Sequence, residues 1–144
     1  MNSAPRWFSW GRGLKNDSHY NAPCGWRRRF RCKLRRQKLS YGLDRGAAYD
    51  SLIERERLGP TGFGGGTAIP HCKVTDIDAP VGVFVRLAKA VEYGAVDDQP
   101  VDLAFALFSP AQDGAAHLKA LAEVSRMFRD ERSCADLRSA NDAA

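Results

Sequence analysis

The chain has 144 residues and a formal net charge of +5, with 27% of its residues charged and 44% hydrophobic. That length is enough for a single core, and no apolar run approaches the length of a membrane span. Four cysteines with no C-x-x-C pair argue against a disulfide framework, so a reducing, cytoplasmic setting is expected.

Charge divides the chain in two. Residues 1–41 carry eleven Lys/Arg against one acid, Asp17, while residues 42–144 carry eleven Lys/Arg against sixteen acids. All three tryptophans (Trp7, Trp10, Trp26) lie in the first part. The basic balance therefore says nothing about residues 42–144. In residues 1–41, runs such as Trp7-Phe8-Ser9-Trp10 and Arg27-Arg28-Arg29-Phe30-Arg31-Cys32 hold no period of 2 or 3.6. Three readings compete. A basic, aromatic arm would bind nucleic acid through phosphates and base stacking. A targeting peptide would be Arg-rich and acid-poor, but this one lacks the apolar centre of a secretory signal. Translation in another frame, or from another start, would give such clusters without periodicity, and the product would be non-functional. The lack of periodicity favours the third. His19, Cys24 and Cys32 match no common zinc spacing and lack a fourth ligand, so no metal site is expected there.

Beyond residue 42 the pattern becomes regular. Residues 47–58 read as a helix, with Tyr49, Leu52 and Ile53 at i, i+3 and i+4, ended by Gly59-Pro60. Arg55 falls near its end. A glycine-rich turn, Gly62-Phe63-Gly64-Gly65-Gly66, runs into a short strand at 67–71 that ends on His71. The expectation is an imidazole at a strand end, beside backbone that no side chain shields. Cys72, next along the strand, should point to the opposite face.

Residues 81–87 alternate, with Val81, Val83, Val85 and Leu87 on one face and Phe84 and Arg86 on the other. Residues 101–108 are nearly all apolar, as in a strand covered on both faces. Asp113 is placed to cap a helix running to about residue 129, with Leu118, Leu121, Val124 and Phe128 toward the core. A short last helix follows Asp130, with Cys134 and Leu137 inward. Strands alternating with helices give an α/β layered domain.

Common phosphate motifs do not fit. A P-loop needs lysine after its last glycine, but Thr67 follows Gly66. A dinucleotide fingerprint starting at Gly62 and Gly64 would need glycine at position 67.

Taken singly, His71 is an ordinary edge-strand histidine, Arg55 one charge of a solvated run and His117 an exposed helix residue. Their spacing changes that. Arg55 in Glu54-Arg55-Glu56 lies sixteen positions before His71 in Ala68-Ile69-Pro70-His71, and His117 in Ala115-Ala116-His117-Leu118 lies forty-six after it. With Gln99-Pro100-Val101-Asp102-Leu103, these segments closely resemble the IIA domains of the mannitol/fructose/nitrogen-regulatory class of the bacterial phosphotransferase system, over residues 42–140. The resemblance is nearest to the free-standing, nitrogen-regulatory members.

That resemblance implies a mixed central sheet with helices on both sides and the site at its edge. It implies that His71 is the phosphorylated nucleophile, charged by a phosphorylated HPr-like carrier, and that Arg55 and His117 flank the phosphoryl group. Phosphorylation would then govern regulatory partners, with no cofactor, membrane or nucleic acid needed. The residue types suit the task. A neutral imidazole is a good nucleophile near pH 7, and phosphoryl transfer needs alignment and positive potential more than covalent help. Arg55 offers a planar fork of donors and His117 an N–H near a helix start.

This chain departs from the family pattern in places. Cys72 stands where the family usually has glycine, and its side chain would crowd a docking carrier or tilt the histidine. Gly65 stands where asparagine is common, and Thr67 where a larger aliphatic is. The sequence stops before the family's final helix, so the N- and C-terminal elements are expected to be altered or missing.

Overall fold

Strand β6 (Val101–Pro110) is the spine of the sheet, and its composition explains why. Nine of its ten residues are buried, Asp102 being the partial exception. Ala104, Ala106 and Phe108 join one apolar cluster, while Leu103, Phe105 and Leu107 join another on the opposite face. A strand apolar on both sides is stable only between two covering layers, and helices supply them.

The computed structural model describes residues 8–9 and 43–140 of the chain. Within them the order is β1 (Phe8–Ser9), α1 (Arg45–Arg57), β2 (Gly62–Gly64), β3 (Thr67–Ala68), β4 (His71–Val74), β5 (Val81–Val91), β6, α2 (Gly114–Arg129) and α3 (Glu131–Ser139). Helix α1 buries Ala48 and Leu52 against the first cluster, with Val81, Val83 and Val85 of β5. Helices α2 and α3 cover the second cluster with Ala120, Val124, Phe128 and Cys134. The architecture is a mixed α/β sheet with helices on both sides.

The sheet runs β1-β5-β6-β3-β2, with β4 also on β6. Strands β5 and β6 pair antiparallel, whereas β3 and β4 both lie parallel to β6. The single strand expected at 67–71 is two strands. Thr67 pairs with Leu103 and His71 with Leu107, so both keep one register on β6. The gap falls at Ile69-Pro70 because proline has no N–H to donate and the Ile69 N–H goes to the Thr61 carbonyl, at 3.0 Å. His71 therefore opens β4 rather than closing β3.

Strand β5 runs past the expected residue 87 to Val91, through an irregular stretch before Val91 pairs with Val101. Ala88, Lys89 and Ala90 there are poor strand formers and are exposed. Phe8 and Ser9 add a parallel strand beside Gly82 and Val83. The segment read as foreign to the domain thus meets the sheet at that point. His19, Cys24, Cys32 and the rest of the basic segment lie outside the described residues.

Each of the three described helices starts on an aspartate. Asp44, Asp113 and Asp130 accept from the backbone N–H groups of Ala47, Ala116 and Ser133. One inward assignment on α2 fails: Leu118 is 67% exposed. The buried stripe is His117, Ala120, Val124 and Phe128, with Leu121 packed beside it. Leu118 fits a period counted from Leu121, but the stripe begins one residue earlier, on His117.

Two arginines fasten α3. Arg138 reaches both carboxylate oxygens of Asp102 and the Gly65 carbonyl. Arg86 donates to the carbonyls of Leu137, Arg138 and Ala140, left open at the helix end.

Candidate functional site

Pairing on β6 brings the two histidines together. His71 is the first residue of β4 and half-buried. Its Nδ1 lies 2.7 Å from the Ile69 carbonyl. A carbonyl only accepts, so Nδ1 carries a proton, and in the neutral ring Nε2 is the nitrogen with the lone pair. His117 sits in the first turn of α2, 9% exposed, with Nδ1 2.9 Å from the hydroxyl of Ser109. The ring centroids are 5.6 Å apart and the planes 43° apart. Taken singly, position 117 read as an exposed helix residue; the structure has a buried imidazole beside His71, where its spacing to Arg55 and His71 had pointed.

Positive charge gathers at this pair. Burial pushes the pKa of His117 down, and His71, Lys73 and Arg55 push it further the same way. A depressed value keeps the ring neutral at pH 7. Arg55 lies in the last turn of α1, where its Nη1 donates to the Gly59 carbonyl at 3.2 Å. Lys73 was not singled out from sequence. It lies two residues from His71 on the same face of β4, near Gly114 at the start of α2. Period-2 alternation carried that signal. Ser109 was missed as well, because Ser109-Pro110 reads as a strand ending. It is fully buried.

The glycine turn is not part of this site. Gly66 accepts from Asp102 and Leu103 at the start of β6, while His71 pairs four residues further along. That is about 13 Å along the strand. Gly65 and Gly66 have φ of 60° and 75°, conformations that side chains rarely adopt, and they serve the tight turn into β3. Asparagine tolerates such a φ too, so glycine at 65 is a conformationally mild departure. Thr67 is fully buried, but its hydroxyl donates to the Gly64 carbonyl at 2.6 Å.

Cys72 points away from His71, into the first apolar cluster. The crowding expected from its side chain does not arise on the His71 face. Burial pushes its thiol up to about 12, which removes it as a nucleophile at neutral pH. Among the described residues, no three His, Cys, Asp or Glu side chains converge to hold a metal ion. None of the described helices is long and apolar enough to cross a membrane.

A family profile described as phosphoenolpyruvate-dependent sugar phosphotransferase system, EIIA 2, matches residues 36–144. The chain belongs to this family. Among type-2 IIA relatives, the nitrogen regulatory protein of Bradyrhizobium diazoefficiens is 42% identical over 102 residues, covering 71% of this chain and 67% of its own. The nitrogen regulatory protein of Escherichia coli is 43% identical over 93 residues, covering 64% of this chain and 57% of its own. The chain thus spans between about half and two-thirds of the length of these relatives. The crystal structure of the nitrogen regulatory protein IIA-Ntr from Neisseria meningitidis superposes with a TM-score of 0.74 at 28% identity, over 82% of this chain and 81% of that one. Type-2 IIA membership and these names support a regulatory role of phosphocarrier type.

Proposed function

We propose that this chain is a regulatory phosphocarrier in which His71 Nε2 accepts a phosphoryl group from a phosphorylated HPr-like carrier. The observation that carries the reading is the bond from His71 Nδ1 to the Ile69 carbonyl, with His117 alongside. It fixes the tautomer that leaves Nε2 nucleophilic.

In the forward step, the Nε2 lone pair forms a bond to phosphorus. The carrier's bond to phosphorus breaks, and its electron pair returns to the carrier. The proton stays on His71 Nδ1, donated to the Ile69 carbonyl. Negative charge spreads over the three equatorial oxygens. Arg55 offers them its guanidinium fork. With the Ser109 hydroxyl as donor to His117 Nδ1, the His117 proton sits on Nε2 and can be donated to an oxygen. Lys73 adds positive potential. Transfer onward reverses these roles, and the phosphorylated and free forms differ in charge at one exposed edge. Partner proteins read that difference.

Intact-mass measurement with a phosphorylated HPr-like carrier tests this. The expected result is one acid-labile phosphate, absent in His71→Ala and reduced in Arg55→Ala and His117→Ala. Normal labelling of His71→Ala would overturn the site.

A further inference from the structure

Glu56 is a carboxylate only 7% exposed, which costs free energy unless its oxygens are bonded. One oxygen accepts from the Thr61 N–H and the other from the Thr61 hydroxyl, each at 2.7 Å. The hydroxyl also lies 3.2 Å from the Tyr93 hydroxyl. The carboxylate therefore grips the far end of the short connection from α1 to β2.

Two paths lead from that grip to the site. In the first, the Thr61 carbonyl accepts from the Ile69 N–H at 3.0 Å, and the Ile69 carbonyl holds His71 Nδ1 at 2.7 Å. In the second, Gly59 lies inside the gripped connection. Its N–H donates to the Glu56 carbonyl, and its own carbonyl receives Arg55 Nη1. The acceptor that orients the nucleophile and the acceptor that orients the arginine are thus both set by the connection that Glu56 holds.

We infer that Glu56 is a positioning residue that fixes the tautomer of His71 and the placement of Arg55 through Thr61. This rests on the proposed role of His71. The relay is one of geometry, not of charge transfer, since successive bonds use different peptide groups. Glutamine at 56 can still accept from the Thr61 N–H and donate to the hydroxyl, so it preserves the relay. Alanine removes it.

The test uses the full chain, with phosphoramidate as a small phosphoryl donor. It forms the same nitrogen–phosphorus bond on His71 and releases ammonia. Labelling is followed by intact mass, and nitrogen NMR of the His71 ring reports which nitrogen is protonated. In Glu56→Ala, the His71 proton is expected to distribute over both ring nitrogens, with labelling slowed by about ten- to a hundredfold. Glu56→Gln should match the parent chain in both. A folded Glu56→Ala chain with the parent ring spectrum and labelling within about twofold overturns the inference. If Glu56→Ala does not fold, Glu56→Asp, one methylene too short for the same grip, takes its place with the same criteria. A parent chain that takes up no phosphate on His71 defeats the proposed function instead, and the ring spectrum alone then decides the relay.

Discussion

His71 and His117 face each other with ring centroids 5.6 Å apart, one ring held by a backbone carbonyl and the other by a buried hydroxyl. Two imidazoles this close do not readily share two positive charges. Burial first, and then the neighbouring His71, hold His117 below its ordinary value.

A pH dependence of stability follows. The unfolded chain protonates His117 at about 6.5, and the folded chain only at lower pH. Between those values the unfolded state binds more protons, so stability rises with pH. The contribution is whole above about pH 6.5 and is lost as pH falls through the depressed folded value. Thermal melts from pH 7.5 to 5 should show the melting temperature falling, with a shallower fall in His117→Gln. Phosphorylation of His71 should reverse the shift, because a phosphoryl dianion favours the charged ring. An NMR titration of His117 in both forms reads this directly.

Ser109 gives His117 its partner. Ser109→Ala leaves the buried Nδ1 unbonded and should cost about 1–3 kcal/mol in urea unfolding. Phosphate uptake should also slow several-fold, since the ring loses the bond that holds its orientation. A variant with full stability and normal uptake would show that Ser109 does not orient the ring.

Arg138 should affect stability but not the site. Its pair with Asp102 is 36% and 28% exposed, so solvent screens it and Arg138→Ala should cost about 1 kcal/mol or less. The Gly65 carbonyl it also holds belongs to the turn about 13 Å from His71 along the strand. Labelling of His71 should stay within about twofold of the parent. A large loss of labelling would mean that the turn and the site are coupled.

Cys72 should resist alkylation in the folded chain. Its thiol is buried in the apolar cluster and pushed up to about 12, so almost no thiolate forms at pH 8. Iodoacetamide treatment followed by peptide mapping should find Cys72 modified only after denaturation. Rapid modification under native conditions would show that this face opens.

Much of the fold was legible because burial leaves a period in the sequence. The nearly continuous apolar run of β6 announced a strand covered on both faces, and the Val81, Val83 and Val85 alternation marked the α1 side of β5. Asp113 announced α2 by its capping chemistry. Periodicity says which face a residue takes, but not which end of a neighbouring strand it meets. The glycine turn therefore looked adjacent to His71 in sequence, while pairing on β6 carries it to the other end. Leu118 was misplaced for a related reason: the stripe starts on a histidine, which an apolar count skips. Ser109 and Lys73 carry no local motif, and only the parallel pairing of β4 with β6 gives them a common place.

That pairing has a consequence for how the protein becomes competent. His71 is carried by β4, and His117 is tied to Ser109 of β6, which lies opposite Lys73. Slipping β4 by one residue would turn His71 inward and present Cys72 in its place. The two imidazoles meet only when a parallel pair with no hairpin to guide it has zipped in the correct alignment. On the proposed role of His71, the first phosphate taken up by a refolding chain would mark the moment at which these two strands have aligned.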